Sequence, residues 1–215
     1  MSERDVMLRR LRSAGIRDQR VLAAMTTVPR EAFVEPGDTE LAYADRALPI
    51  GEGQTISQPL MVALVVEALE LQGGEDVLDV GTGSGYQAAV IAACGARVHG
   101  IERRPALALR AAQRLRDLGF DAHVHIGDGS LGRPEEAPFD AIAVAAAAPH
   151  LPVALARQLR PGGRLVVPLS GGGADAELTR VRSRGGLWRT ENLGPCRFVP
   201  LIGRDGYAEP TGDDG

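Results

Sequence analysis

The stretch VLDVGTGSGYQ, residues 77–87, decides the fold. A short β-forming run, DVLDV (76–80), ends at three glycines spaced GxGxG. The apolar segment YQAAVIAAC (86–94) follows and reads as a helix. Strand, glycine turn and helix is the arrangement that lets a ligand approach bare backbone at the carboxyl edge of a sheet. Working outward, ARVHGIE (96–102) reads as a second strand, PALALRAAQRLRDLG (105–119) as a long helix closed by Gly119, and DAHVHI (121–126) as a third strand. FDAIAVAAA (139–147) is a fourth, LPVALARQL (151–159) a helix, and PGG (161–163) turns the chain into RLVVPL (164–169). Strands alternating with helices predict an α/β fold, a doubly wound and mostly parallel sheet.

The flanks behave differently. Apolar faces at Met7, Leu8 and Leu11, then Val21, Leu22 and Met25, predict two N-terminal helices. Residues 36–53 read as irregular, and Pro59 to Leu71 as a helix with Ser57 as a natural N-cap. After the loop GGGADA (171–176), ELTRVRS and LWRTENL flank Gly185–Gly186 and predict an antiparallel C-terminal hairpin. The acidic, Pro/Gly-rich end RDGYAEPTGDDG (204–215) is expected to be disordered. The expected organisation is a single domain, 1–203, with N-terminal helices and a loop over 1–58 and the core over 59–203.

Composition narrows the function classes. The 215 residues are 44% hydrophobic and 24% charged, with 27 glycines and a formal net charge of −4. That balance opposes a broad nucleic-acid footprint, and the clusters RRLR (9–12) and ERRP (102–105) read as solvated helix faces. Cys94 and Cys196 form no CxxC, so a disulfide framework and a zinc site are not indicated. His123 and His125 share a strand face without a matched third ligand, so no metal is expected. The start MSERDVMLRRLR lacks the apolar core of a signal peptide, and Gly, Glu or Arg interrupts every apolar stretch. The expectation is a cytoplasmic monomer that engages neither membrane nor nucleic acid. No GxSxG elbow and no HExxH is present.

The acids around the glycine loop choose the ligand. A dinucleotide site spaces its glycines GxGxxG and offers the helix N-terminus to a pyrophosphate. Here the spacing is GxGxG, and Asp79 two residues before Gly81 would repel a diphosphate. A carboxylate there suits a ligand bearing ammonium and sulfonium charges, S-adenosylmethionine. Glu102, ending the second strand, is placed for the two ribose hydroxyls, and Asp128 in GDG (127–129) for the adenine amino group, with Gly129 leaving room for the ring. Gly81, Thr82, Gly83, Gly85 and Ile56 complete the expected cofactor set. The fold class is therefore the Rossmann-like, S-adenosylmethionine-dependent methyltransferase fold.

Further motifs carry a more specific resemblance. VPREAFV (28–34), AYADRALPIGEGQTISQP (42–59), LDVGTGSGYQAAVIA (78–92), GDG, APFDAI (137–142), LRPGGRLVVP (159–168) and LGPCRFVPLIG (193–203) together resemble the protein-L-isoaspartate O-methyltransferases. The glycine loop marks only the superfamily; GQTISQP and RFVPLIG, far apart in the chain, are the specific pair. The resemblance implies methylation of the free α-carboxylate of L-isoaspartyl residues in damaged proteins and peptides, whose ester then collapses to a succinimide. It implies Ser57 as the active-site residue with Thr55 beside it, and Val199, Pro200 and Leu201 on the substrate side.

The chemistry fits that implication. A carboxylate, with a reference pKa of about 4, is already ionised at neutral pH and needs no general base. Placement and desolvation are what a protein must add, and neutral hydroxyl donors supply them without capping the nucleophile as a salt bridge would. Two positions depart from the family pattern: Leu60 stands where an aromatic residue is common, and Ala145 where Thr or Gly is expected. Three other readings stay open at this level. They are a methyltransferase acting on aspartate in a dedicated peptide partner, a NAD-dependent oxidoreductase, and a non-catalytic adenosylmethionine-binding module.

Overall fold

The structure, a computed structural model, describes residues 2–171, 175–185 and 187–209. Two capped helices begin it. In α1 (Glu3–Ser13) Ser2 and Asp5 form a reciprocal capping box, and in α2 (Gln19–Thr27) the Asp18 side chain accepts from the Arg20 N–H. Both bury the apolar faces that their spacing predicts. Two 3-10 turns, Arg30–Phe33 and Pro36–Leu41, lead to a small hairpin of β1 (Leu48–Gly51) and β2 (Gln54–Ile56). Residues 36–53 are thus more ordered than expected: a 3-10 turn and a strand occupy most of them. α3 (Pro59–Ala68) follows directly.

The core alternates as predicted: β3 (Asp76–Val80), α4 (Tyr86–Ala93), β4 (Arg97–Glu102), α5 (Pro105–Asp117), β5 (Ala122–Ile126), β6 (Phe139–Val144), α6 (Val153–Ala156) and β7 (Leu159–Leu169). α6 is one turn rather than the nine-residue helix expected, because residues from Leu159 onward join β7. β8 (Ala176–Arg184) and β9 (Leu187–Cys196) form the antiparallel hairpin, the turn at Gly185–Gly186 lying partly outside the described residues. The seven strands are ordered β5-β4-β3-β6-β7-β8-β9, parallel from β5 to β7 and antiparallel beyond.

Period-two alternation divides the core between the two faces of the sheet. Val77, Ala141, Ala143 and Val166 join the cluster under the N-terminal helices and α4. Leu78, Val80, Ile142, Val144, Leu165 and Val167 join a second cluster with Leu155 and Leu201. Asp79 belongs by this alternation to the first face. The α5 stripe Leu107, Ala111 and Leu115 recurs every four residues and is buried. β3 is the central strand: the chain runs outward to β4 and β5 on one side, then returns to β6 on the other. That reversal leaves a crevice at the carboxyl ends of β3, β4 and β6.

The end of the chain differs from the expectation of disorder from residue 204. The Tyr207 N–H donates to the Leu201 carbonyl (2.8 Å), the Gly203 N–H to the Tyr207 carbonyl (3.1 Å), and the Tyr207 hydroxyl pairs with that of Ser170 (2.5 Å). Polar composition hid a turn closed by one aromatic residue. Residues 210–215 of the expected disordered tail lie outside the described residues.

Candidate active site

The crevice is a cavity of about 320 Å³, and its walls come from the segments that the sequence singled out. Gly81, Thr82 and Gly83 of the glycine loop, Glu102 at the end of β4, Gly129, Thr55 to Ser57 and Val199 to Leu201 all line it. Three expected cofactor residues do not. Gly85 is the N-cap of α4 at φ +93°, and a Cβ there would lie 3.3 Å from that of Ala111; it lets α4 start against α5 rather than touching the cavity. Asp128 stands behind Gly129. Its Oδ1 accepts from the Ser130 N–H (2.9 Å) and hydroxyl (2.7 Å), and its Oδ2 from the Arg204 N–H (2.8 Å). The tail packs so tightly there that a Cβ on Gly203 would fall 2.1 Å from Asp128 Oδ1. Burial pushes the Asp128 carboxyl up, but these hydrogen bonds outweigh it and hold it below its ordinary value.

Asp79 is the third, fully buried just under the glycine loop. Its Oδ1 accepts from Gln87 Nε2 at 2.7 Å, while its Oδ2 is buried without a partner among the described residues. Burial, only partly offset by the bonds from Gln87 and Thr82, pushes its carboxyl up to about 6. A buried carboxylate oxygen left unsatisfied calls for a donor or cation from a ligand. An ammonium group meets that need and a phosphate does not, so the residues present fit S-adenosylmethionine. Glu102 is fixed by two backbone donors, Gly83 N–H to Oε2 and Arg104 N–H to Oε1, each at 2.9 Å. The carboxylate is thereby aimed without a salt bridge.

A second, smaller cleft of about 50 Å³ adjoins the cavity and shares Thr55, Ser57, Ala145 and Val199 with it. Met61, Phe198 and Arg197 belong to the small cleft alone. Thr55 and Ser57 therefore border both spaces. Ser57 is not the N-cap of α3. Gln58 holds that position without a side-chain bond, and Asp45 caps from a distance, its Oδ1 accepting from the Leu60 N–H (3.1 Å). The β1–β2 hairpin delivers the chain to α3 in an extended form, which leaves the serine hydroxyl outside the cap. Arg30 fixes the same residue from behind, its Nη2 donating to the Ser57 carbonyl at 2.8 Å.

The RFVPLIG segment is extended and joined to its own chain by isolated parallel bridges, Pro200 to Ala147 and Ile202 to Tyr207. The Ala147 N–H donates to the Val199 carbonyl and the Leu201 N–H to the Ala147 carbonyl, each at 2.8 Å. One backbone edge is thus spent internally, and alternate residues, Phe198 and Pro200, turn to the other. Sequence reasoning missed several wall residues: Tyr86 and Gln87 in the first turn of α4, Arg103 and Arg104 after β4, and Glu209, which pairs with Arg103 at 2.7 Å. Gln87 was the findable one, an amide on the first helical turn facing a strand-end acid.

A family model described as protein-L-isoaspartate(D-aspartate) O-methyltransferase matches residues 2–206. The chain belongs to this family. A protein-L-isoaspartate O-methyltransferase of Roseiflexus sp. (strain RS-1) is 55% identical over 203 residues, covering 94% of this chain and 93% of its own. That of Roseiflexus castenholzii is 54% identical, covering 98% and 95%. Among solved structures, one protein-L-isoaspartate O-methyltransferase superposes with a TM-score of 0.85 at 27% identity, covering 94% of this chain and 67% of the other. A Plasmodium falciparum protein described as a member of the same family, in complex with S-adenosyl-L-homocysteine, superposes with a TM-score of 0.81 at 26% identity, covering 94% and 99%. The expected family and fold are therefore those found.

Proposed function

We propose that the protein is a repair enzyme that transfers a methyl group from S-adenosylmethionine to the free carboxylate of L-isoaspartyl residues in damaged proteins and peptides. One observation carries this reading: Thr55 and Ser57 stand where the large cavity meets the small cleft. Of the acids a cationic cofactor needs, Glu102 lines the large cavity, while Asp79 lies under the glycine loop and Asp128 behind Gly129. Asp79 is assigned to the ammonium, Glu102 to the ribose hydroxyls, and Asp128 with Gly129 to the adenine end, while Gly81, Thr82, Gly83 and Ile56 shape the wall. Gly85 serves the same loop through packing. What the cofactor supplies when bound is a methyl group activated by an adjacent positive sulfur.

The chain's part in the reaction is to place an anion. Ser57 and Thr55 donate hydrogen bonds to the substrate carboxylate as it leaves water, and their neutrality keeps its lone pairs available. The peptide flanking the isoaspartate lies along Val199, Pro200 and Leu201, with the open edge at Phe198 offering sequence-tolerant backbone pairing. Ala145 sits in both walls, so its small size opens the passage between them.

The same reading covers the setting of the enzyme. We assign it to the cytoplasm as a monomer that engages neither nucleic acid nor membrane, on its acidic charge balance and free cysteines; among the described residues no helix is long and apolar enough to cross a membrane. We take residues 1–203 as one catalytic domain, its N-terminal 58 residues supplying the hydroxyl loop to the core that follows.

The test uses two peptides that differ only in carrying L-isoaspartate or L-aspartate at one position. Each is incubated with labelled S-adenosylmethionine and base-labile methyl ester is counted. Ester on the isoaspartyl peptide alone is expected. Ester on neither peptide, with cofactor binding intact, refutes general repair in favour of a dedicated peptide partner.

A further inference from the structure

Arg30 is a lone buried cation directly behind the wall of the site. Its side chain is 0% exposed. The Nε–H donates to the Ala42 carbonyl at 2.6 Å and an Nη2–H to the Ser57 carbonyl at 2.8 Å. The guanidinium carbon lies 4.6 Å from the centre of the Tyr86 ring. Nη1 is buried with no hydrogen-bond partner among the described residues, and there no carboxylate forms an ion pair with this guanidinium. Asp45, an acid that acts on it by charge, has its Oδ1 engaged by the Leu60 N–H. Two carbonyl dipoles and an aromatic face offset only part of what burying a full charge costs.

A structural brace between two loops needs donors but no charge. What makes the charge intelligible is its position: of the three residues Arg30 touches, Ser57 and Tyr86 both line the cavity. The guanidinium therefore stands one residue layer behind the surface that Ser57 presents. Asp79 is its counterpart under the glycine loop, likewise buried with an unpartnered oxygen. The described residues thus place one buried carboxylate and one buried guanidinium, each with one unpartnered atom, behind the walls of the same site. A ligand ammonium answers the first.

We infer that Arg30 is a positioning and charge-selecting residue for the substrate carboxylate, holding Ser57 in place by its carbonyl and favouring an anion in front of that serine through a field acting across the wall. It does this without touching the carboxylate, so the nucleophilic lone pairs stay free. Placed in contact, the same charge would form a salt bridge that lowers the ground state and slows attack. The inference rests on the reading of Ser57 as the residue against which the carboxylate lies.

The test compares an isoaspartyl peptide with the same peptide bearing a carboxamide in place of that carboxylate, the second used as a competitive inhibitor. The full-length wild type is expected to prefer the carboxylate by about tenfold or more, since a unit charge near a poorly hydrated site acts strongly over one layer of atoms. Arg30→Gln, which keeps a donor but no charge, is expected to bring the ratio to within about threefold of one, whereas Arg30→Lys keeps most of it and loses kcat because one amine cannot hold both carbonyls. Affinity for S-adenosylhomocysteine, measured by calorimetry, should change little in either variant. A role in stability alone would leave the ratio unchanged in Arg30→Gln, and that result overturns the inference. So does a wild-type ratio near one. Should Arg30→Gln not fold, loss of the ratio in the charge-preserving Arg30→Lys overturns it equally. Absence of wild-type turnover on the isoaspartyl peptide counts against the repair reading instead.

Discussion

Replacing Asp79 by Asn should make the ligand-free protein more stable and the cofactor bind more weakly. Burial raises the Asp79 carboxyl from an ordinary 3.8 to about 6. A rise of that size corresponds to ~3 kcal/mol. The sign follows from proton binding. A folded-state value above the unfolded one means that the folded protein holds the proton more tightly. The stabilisation is fully present below the unfolded value and is lost as pH rises through about 6. At neutral pH the ionised Asp79 therefore costs the ligand-free fold up to ~3 kcal/mol, and Asn removes that cost while keeping an acceptor for Gln87. For a chain of this length each kcal/mol moves Tm by roughly 2–4 °C, so Asp79→Asn should melt several degrees higher.

Affinity should move the other way. A charge-assisted bond to a ligand ammonium contributes about 1.5–3 kcal/mol, so S-adenosylhomocysteine should bind the Asn variant roughly ten- to a hundredfold more weakly. The wild type adds a pH signature. Its affinity should be nearly constant above pH about 7 and fall toward tenfold per pH unit below about 6, as Asp79 is protonated. The Asn variant should lack that slope. Calorimetric titrations across this range, with melting curves at neutral pH, supply both readouts. An Asn variant that melts lower and binds the ligand as tightly as the wild type would show that Asp79 is a structural acid, and the argument from its unpartnered oxygen would fail.

Three more perturbations follow from the same geometry. Ser57→Ala should lower kcat on an isoaspartyl peptide by about tenfold to a hundredfold with little change in Tm, because Ser57 does not cap α3; an unchanged kcat would return it to a neutral wall position. Glu102→Gln should weaken S-adenosylhomocysteine binding by roughly tenfold, since the amide loses charge and can no longer accept from both the Gly83 and Arg104 N–H groups; equal calorimetric affinity would refute a ribose role. Gly85→Val should destabilise by at least about 2 kcal/mol, combining strain at φ +93° with contacts near 3.3 Å on Ala111 and Leu115, and denaturant melts that coincide with the wild type would rule out the packing account.

What sequence could reach was whatever depends on neighbours in the chain. The run DVLDV ends as β3 at the residue where the glycines begin, and Leu107, Ala111 and Leu115 are buried because a period near four was written into α5. Glu102 was legible because it closes β4 on one edge of the sheet, whereas Thr55, Ser57 and Val199 were reached through GQTISQP and RFVPLIG, the motifs that carry the family resemblance. The misses have a common cause: the partner that settles each position is remote. Ser57 has every local mark of an N-cap, yet the cap on the Leu60 N–H comes from Asp45, fifteen residues before Leu60. Asp128 sits in a GDG motif that announces a ligand, yet Ser130 and the returning tail at Arg204 share its oxygens. The β1–β2 hairpin had a readable signal, GEG (51–53) between two short alternating runs, that its polar surroundings obscured.

These remote partners explain why a serine rather than another small residue suits the head of α3. A helix N-terminus attracts whatever acceptor is near, and a serine in its ordinary capping role would spend its oxygen on backbone. Asp45 fills that need from outside the segment, and Arg30 takes the Ser57 carbonyl. Backbone and cap are satisfied by other residues, so the hydroxyl is spent on neither. Asp79 follows the same logic with opposite charge, one oxygen held by Gln87 and the other left bare. In each case the protein fixes a group through one atom and leaves the neighbouring atom without a partner. That fixes orientation before the ligand arrives, at a cost in stability that the ligand-free fold bears at Asp79 and Arg30.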